Sequence, residues 1–247
     1  RQITTSRISI DLGQESRVAL GDVNGDGNIN IIAGTTAASG QQSNLYVFQY
    51  RGETYHQLAR TSLGNNDTHW IVCHDIDKDG LDEIIIGCTR GIHIYKMRKG
   101  QLVRIAESAE IKETVVCIAI ADIDRDGKYE IIAVVKGKPR IFIFRYDGRL
   151  VLVKSEVLKH QVYCVAAGDT DGDGYPEVVV KTHGPQGCVL YVLSFKDGER
   201  YEKWSGHIPD ADKAFLRVGD FDLDGKHEIV MDCTGSKVRV LRHAGGA

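Results

Sequence analysis

Aliphatic runs bounded by polar turns recur along the chain. EIIIG (Glu83 to Gly87), EIIAVV (Glu130 to Val135) and EVVVK (Glu177 to Lys181) are rich in β-branched residues and almost uninterrupted. Ahead of such a run, across an acidic stretch, lies another apolar one, as in VVCIAIA (Val115 to Ala121) or VYCVAAG (Val162 to Gly168). Behind it comes a segment alternating apolar and polar residues, GIHIYKM (Gly91 to Met97) or KVRVLR (Lys237 to Arg242), then a more polar one such as LVRIAES (Leu102 to Ser108). Short β-branched runs and period-two alternation predict strands, and no useful length of chain carries the helical period. The pairs Lys99-Gly100, Asp147-Gly148 and Asp197-Gly198 predict hairpin turns between third and fourth strands. The chain has only 4 prolines, which suits paired strands, whose ladders need their amides.

The acidic stretches are copies of one another. They read DVNGDGNIN (Asp22 to Asn30), DIDKDGLDE (Asp75 to Glu83), DIDRDGKYE (Asp122 to Glu130), DTDGDGYPE (Asp169 to Glu177) and DFDLDGKHE (Asp220 to Glu228), with first residues 53, 47, 47 and 51 apart. Self-similarity at this period marks a repeat architecture. Five units fill residues 1–247 as a single all-β domain, and four short strands per unit predict a β-propeller of five four-stranded blades. The fifth unit stops after its third strand, while QITTSRISI (Gln2 to Ile10) precedes the first unit unpaired. Together they predict a ring closed by the N-terminal strand completing the fifth blade. A fragment of a seven-bladed propeller is the alternative.

Carboxylates packed this closely repel unless a cation sits among them. Oxygen donors at alternate positions with glycine at the sixth describe a calcium loop, calcium accepting 6 to 8 oxygens in flexible geometry; magnesium, stricter and more hydrated, is second choice. The expected donors are Asp22, Asn24, Asp26, Asn28 and Asn30; Asp75, Asp77, Asp79, Leu81 and Glu83; Asp122, Asp124, Asp126, Lys128 and Glu130; Asp169, Asp171, Asp173, Tyr175 and Glu177; and Asp220, Asp222, Asp224, Lys226 and Glu228. The fourth member of each set, at the seventh loop position, acts through its backbone carbonyl. Up to five calcium ions are expected, held most weakly in the first loop, where Asn24 and Asn30 replace carboxylates. An EF-hand is excluded because its twelfth-position Glu is missing: Ala33, Ile86, Ala133, Val180 and Met231 stand there. A dockerin-like start in the first loop fails on the same ground. The ions are expected to hold loops, since catalytic metals need an open position and a neighbouring acid or base.

Five copies of DxDxDGxxE, or close to it, each running into an aliphatic strand, resemble the FG-GAP/VCBS repeats of integrin α-chain propellers and related bacterial proteins. The resemblance covers nearly all of the chain and implies a calcium-binding propeller in an extracellular or cell-surface setting. Two departures bear on the partner rather than the fold. Four loops end in Glu where integrin-type loops usually carry Asp, and the FG and GAP signatures are reduced to IIAGTTA (Ile31 to Ala37). VVVKTHGP (Val178 to Pro185) is similar to runs in calcium-rich polysaccharide lyases.

A net charge of -3 argues against a nucleic-acid binder, which would show a basic excess. No apolar run is long enough for a membrane-spanning helix. With 42% hydrophobic and 26% charged residues the composition is that of a globular protein, here expected as a monomer. The chain begins Arg1-Gln2-Ile3, which suggests a fragment or a processed form. Cys73, Cys88, Cys117, Cys164, Cys188 and Cys233 form no C-x-x-C pair and read as free core thiols, pointing toward a reducing compartment.

In a propeller the acidic loops, joining first to second strands, share one face. The other face carries NNDTHW (Asn65 to Trp70), KHQVY (Lys159 to Tyr163) and DADKAF (Asp210 to Phe215), with TTAASGQQSN (Thr35 to Asn44), CTRG (Cys88 to Gly91), KGKPR (Lys136 to Arg140) and KTHGPQG (Lys181 to Gly187). These segments vary while the acidic loops repeat, as expected of loops that carry function on a scaffold. His69, Trp70, Arg90, Arg140, Tyr163, His183 and Lys213 are the candidate ligand-face residues. The expected function is a non-catalytic module recognising a protein or glycan. A polysaccharide-degrading, lyase-like enzyme and a scaffold domain of a larger protein are the alternatives.

Overall fold

The computed structural model describes residues 16–37, 42–196, 199–235 and 237–243. Every regular element among them is a strand, and each sheet is an antiparallel meander in chain order. The chain divides into two compact units at Thr114/Val115. The first holds a sheet of β1 (Ser16–Gly21), β2 (Asn30–Thr35), β3 (Ser43–Arg51) and β4 (Thr54–Gly64), and a sheet of β5 (Thr68–His74), β6 (Glu83–Cys88), β7 (Gly91–Arg98) and β8 (Gln101–Glu107). The second holds β9 (Val115–Ala121), β10 (Glu130–Val135), β11 (Arg140–Tyr146) and β12 (Leu150–Val157), then β13 (Gln161–Gly168), β14 (Glu177–Gly184), β15 (Gly187–Ser194) and β16 (Tyr201–Ile208). Its last sheet has β17 (Ala211–Gly219), β18 (Glu228–Cys233) and β19 (Lys237–Leu241). Five small meanders of three or four strands are propeller-like blades. The segment assigned to ring closure, Gln2 to Ile10, lies outside the described residues.

Burial explains why the second strand of each repeat is so apolar. Every residue of β6 and β10 is buried, because a second strand is flanked by strands in its own sheet and covered on both faces. In the first unit Ile32, Leu45 and Val47 of one sheet pack with Ile71, Ile84 and Ile86 of the other in one continuous core. The ends of β2 and β5 approach so closely that a side chain cannot fit between them. A Cβ on Gly34 would lie 2.6–2.8 Å from the Thr68 side chain.

The hairpins follow the turn chemistry. Lys99 and Gly100 both take positive φ (50° and 76°), the two-residue turn that matches strand twist. Gly52 and Glu53 (54° and 73°) build the same turn in the first repeat, outside the pairs expected from the sequence. Asp147-Gly148 instead belongs to a three-residue loop, with Tyr146 paired to Leu150. Asp197-Gly198 lies outside the described residues.

Several segments read as loops are strand ends. β14 runs on to Gly184, paired with Gly187, so only Pro185-Gln186 forms the tip. Thr68 to Trp70 belong to β5, Gln161 to Tyr163 to β13, and Ala211 onward to β17. Local polarity hides these ends because edge contacts, not side-chain hydrophobicity, extend the ladders. The six cysteines are free, five of them buried.

His93 on β7 is 4% exposed, its ring tilted 55° to that of Tyr95 at 6.4 Å. Burial first, then the nearby Arg104, hold its pKa below the usual 6.5, against the pull of Glu107. A depressed histidine contributes stability above the unfolded value of 6.5 and loses it as pH falls. Unfolding midpoints in urea should therefore fall between about pH 7.5 and pH 5.5. His93→Gln should flatten that dependence; an unchanged slope would contradict it.

Candidate metal centres

Each acidic stretch is a nine-residue turn held by its own carboxylates. The first Asp folds the turn onto itself: in the fourth loop Asp169 accepts the amides of Gly172 and Gly174, both at 2.8 Å. Asp22, Asp75, Asp122 and Asp220 each accept the amide of the sixth-position glycine in the same way. Those glycines have φ between 79° and 90°, the left-handed region where only glycine escapes Cβ strain. The fourth position is left-handed too, although Lys78, Arg125 and Leu223 occupy it in three loops, at φ 59°, 58° and 62°. The fifth Asp accepts the amide of the seventh residue, Asn28, Leu81, Lys128, Tyr175 or Lys226.

The ninth residue opens the second strand and is buried: Glu83, Glu130, Glu177 and Glu228 are 0–2% exposed. One oxygen of each accepts the amide of the loop's second residue, Ile76, Ile123, Thr170 or Phe221. Asn30 does the same for Val23 through Oδ1. Neighbouring loops are also tied together within each unit: Asp82 N donates to Asp22 O at 3.0 Å, and His227 N to Asp169 O at 2.8 Å.

In four loops the first, third and ninth residues bring carboxylate oxygens within 4.8 Å of one another: Asp75, Asp77 and Glu83; Asp122, Asp124 and Glu130; Asp169, Asp171 and Glu177; Asp220, Asp222 and Glu228. Such an all-oxygen set fits a hard divalent cation. The buried Asp122 Oδ1, which no hydrogen bond satisfies, points the same way. In the first loop Asn24 and Asn30 leave two carboxylates only, and Asp26 is bonded by Asn24, Asn28 and Gln49.

A cation stands at four of these loops, and it belongs to the chain. Lys96 Nζ lies 2.8, 2.6 and 2.6 Å from Asp77, Asp79 and Glu83. Arg145 holds Asp124, Asp126 and Glu130, and Lys203 holds Asp171, Asp173 and Glu177. Arg242 lies 2.8 Å from Asp222 and 3.6 Å from Glu228. Burial works against the charge of Lys96 and Lys203, but three carboxylates each reverse that and raise both pKa values. Lys96 in turn holds Asp79 below its usual range. Burial pushes Glu130 up to about 6, against the opposing pull of Arg145.

Residues 22–86, 75–133 and 122–180 each match the FG-GAP-like repeat. The chain belongs to the FG-GAP-like repeat family. The matches cover the first four acidic loops, and the fifth acidic loop, Asp220 to Glu228, lies beyond them but repeats their hydrogen bonds. No curated protein matches the chain.

The expected ligand-face residues fall in both units. His69 and Trp70 lie on β5 and Arg90 is exposed at the β6–β7 tip, all in the first unit. In the second, Tyr163 and His183 meet edge to face at 6.1 Å. Arg140 is engaged by its own sheet, over Phe142 and 3.3 Å from Ser155 Oγ. Lys213 lies on β17, and its side chain is outside the described set.

Two stability outcomes follow from the turns. Asp169→Ala should cost about 1–3 kcal/mol, because two turn amides lose their acceptor. Leu223→Gly should stabilise by up to about 1 kcal/mol, relieving left-handed strain at an exposed site. Denaturant unfolding of each variant measures both; the opposite signs would contradict this reading of the turns.

Proposed function

We propose that this FG-GAP-like chain is a non-catalytic binding module for a protein partner, its acidic loops forming the scaffold. One observation carries the reading: the loop carboxylates are spent on the fold. The first Asp is committed to turn amides and the ninth Glu to an amide and a basic side chain. Calcium is the ion whose chemistry suits the donors, with Asp75, Asp77, Glu83 and their counterparts as its ligands in four loops and a weaker set at Asp22 and Asp26. When bound, it would add structural charge neutralisation. The ends of the strands away from the acidic loops then present the partner-binding groups, with Trp70 and Arg90 in the first unit.

The test is binding of the immobilised chain to protein and glycan arrays, followed by substitution. Trp70→Ala or Arg90→Ala should weaken binding of a captured protein by at least about 2 kcal/mol, the size of a true hot spot. Asp124→Ala should reduce binding only in proportion to lost folded protein. Breakdown of a polysaccharide panel, or a ligand insensitive to both face variants, would overturn the proposal.

A further inference from the structure

The position facing the ninth loop residue across the second and third strands tracks its charge. Arg145 pairs with Glu130 in the β10–β11 ladder, and Gln49 pairs with Asn30 in β2–β3. The register Ile84–Tyr95 sets Glu83 level with Lys96, and Ile229–Leu241 sets Glu228 level with Arg242. An acid thus faces a base, and the one amide faces an amide. The fourth repeat is the informative exception. Val178–Leu193 sets Glu177 level with Ser194, too short and uncharged to answer it. There the base comes from the fourth strand instead, where a register shift between Trp204 and Glu202 leaves Lys203 to reach in.

We propose that Lys96, Arg145, Lys203 and Arg242 are built-in counter-ions that compete with calcium, so that these four loops fold without metal and bind calcium only by expelling the base. The inference rests on the calcium reading of the donor set given above. Its geometry is direct. Lys96 Nζ stands 2.6–2.8 Å from three carboxylates, two of which, Asp77 and Glu83, belong to the metal-competent trio. Calcium binds oxygen at 2.3–2.6 Å, so an ion held by the same oxygens would overlap the ammonium. Two cations cannot share that point.

The test uses the full chain with calcium chloride as the probe. Wild type should melt at nearly the same temperature in chelator and in excess calcium. Lys96→Met should melt several degrees lower in chelator, because Glu83 is left buried without a counter-ion. It should recover with calcium and bind the ion at least about tenfold tighter by calorimetry. Arg242→Met, which removes the most exposed of the four bases, should show a smaller gain of the same sign and keeps the test open should Lys96→Met not fold. Equal calcium affinity in wild type and variants would overturn the competition alone. No calcium uptake by any of them would overturn both the competition and the donor reading. Wild type unfolding in chelator as readily as Lys96→Met would show that the bases do not neutralise the loops.

Discussion

A buried glutamate at the start of the second strand imposes a demand that four of the five repeats are arranged to meet. Stripping water from a carboxylate costs several kcal/mol unless donors and a counter-charge replace it. Here the amide of the loop's second residue supplies one bond and a base from the same sheet supplies the charge. Meeting both fixes the loop's path, since its second residue must return to the strand that its ninth residue begins. It also fixes the register of the third strand, or in the fourth repeat the bulge of the fourth strand.

From that constraint the remaining features follow in order. The loop reverses within nine residues, which forces two left-handed positions, one always glycine and one not. The reversed loop delivers the chain into a strand covered on both sides, and in β6 and β10 every residue after the glutamate is apolar. Close approach of β5 to β2 then excludes a side chain at Gly34. A divalent ion would enter an arrangement that already balances much of its own charge.

The repeat, the strands and the acidic loops were legible in the sequence because each rests on local pattern: aliphatic runs, turn pairs and a nine-residue signature. The counter-ions were not, for two physical reasons. Lys96, Arg145 and Arg242 follow their glutamates by 13, 15 and 14 residues, because the tip between second and third strands varies in length. Lys203 arrives through a bulge, which pairing alone reveals. A signal did exist: Ile94-Tyr95-Lys96, Ile143-Phe144-Arg145 and Val240-Leu241-Arg242 share one pattern, with Val47-Phe48-Gln49 and Val192-Leu193-Ser194 as its neutral forms. The fourth loop position was hidden similarly, since Lys78, Arg125 and Leu223 give no local sign of positive φ. Which loops would extend as strands was beyond local reading, because ladder partners decided it at Thr182 to Gly184 and at Thr68 to Trp70.

The most direct measurement of the central claim is a crystal structure of the wild-type chain grown in chelator and again after soaking in calcium. The account predicts that without metal Lys96 Nζ and the Arg145 guanidinium lie within hydrogen-bonding distance of the third, fifth and ninth loop carboxylates. After soaking, any loop containing calcium should show its base withdrawn. Basic side chains turned to solvent in the metal-free crystals, or calcium bound beside an undisplaced Lys96, would contradict it.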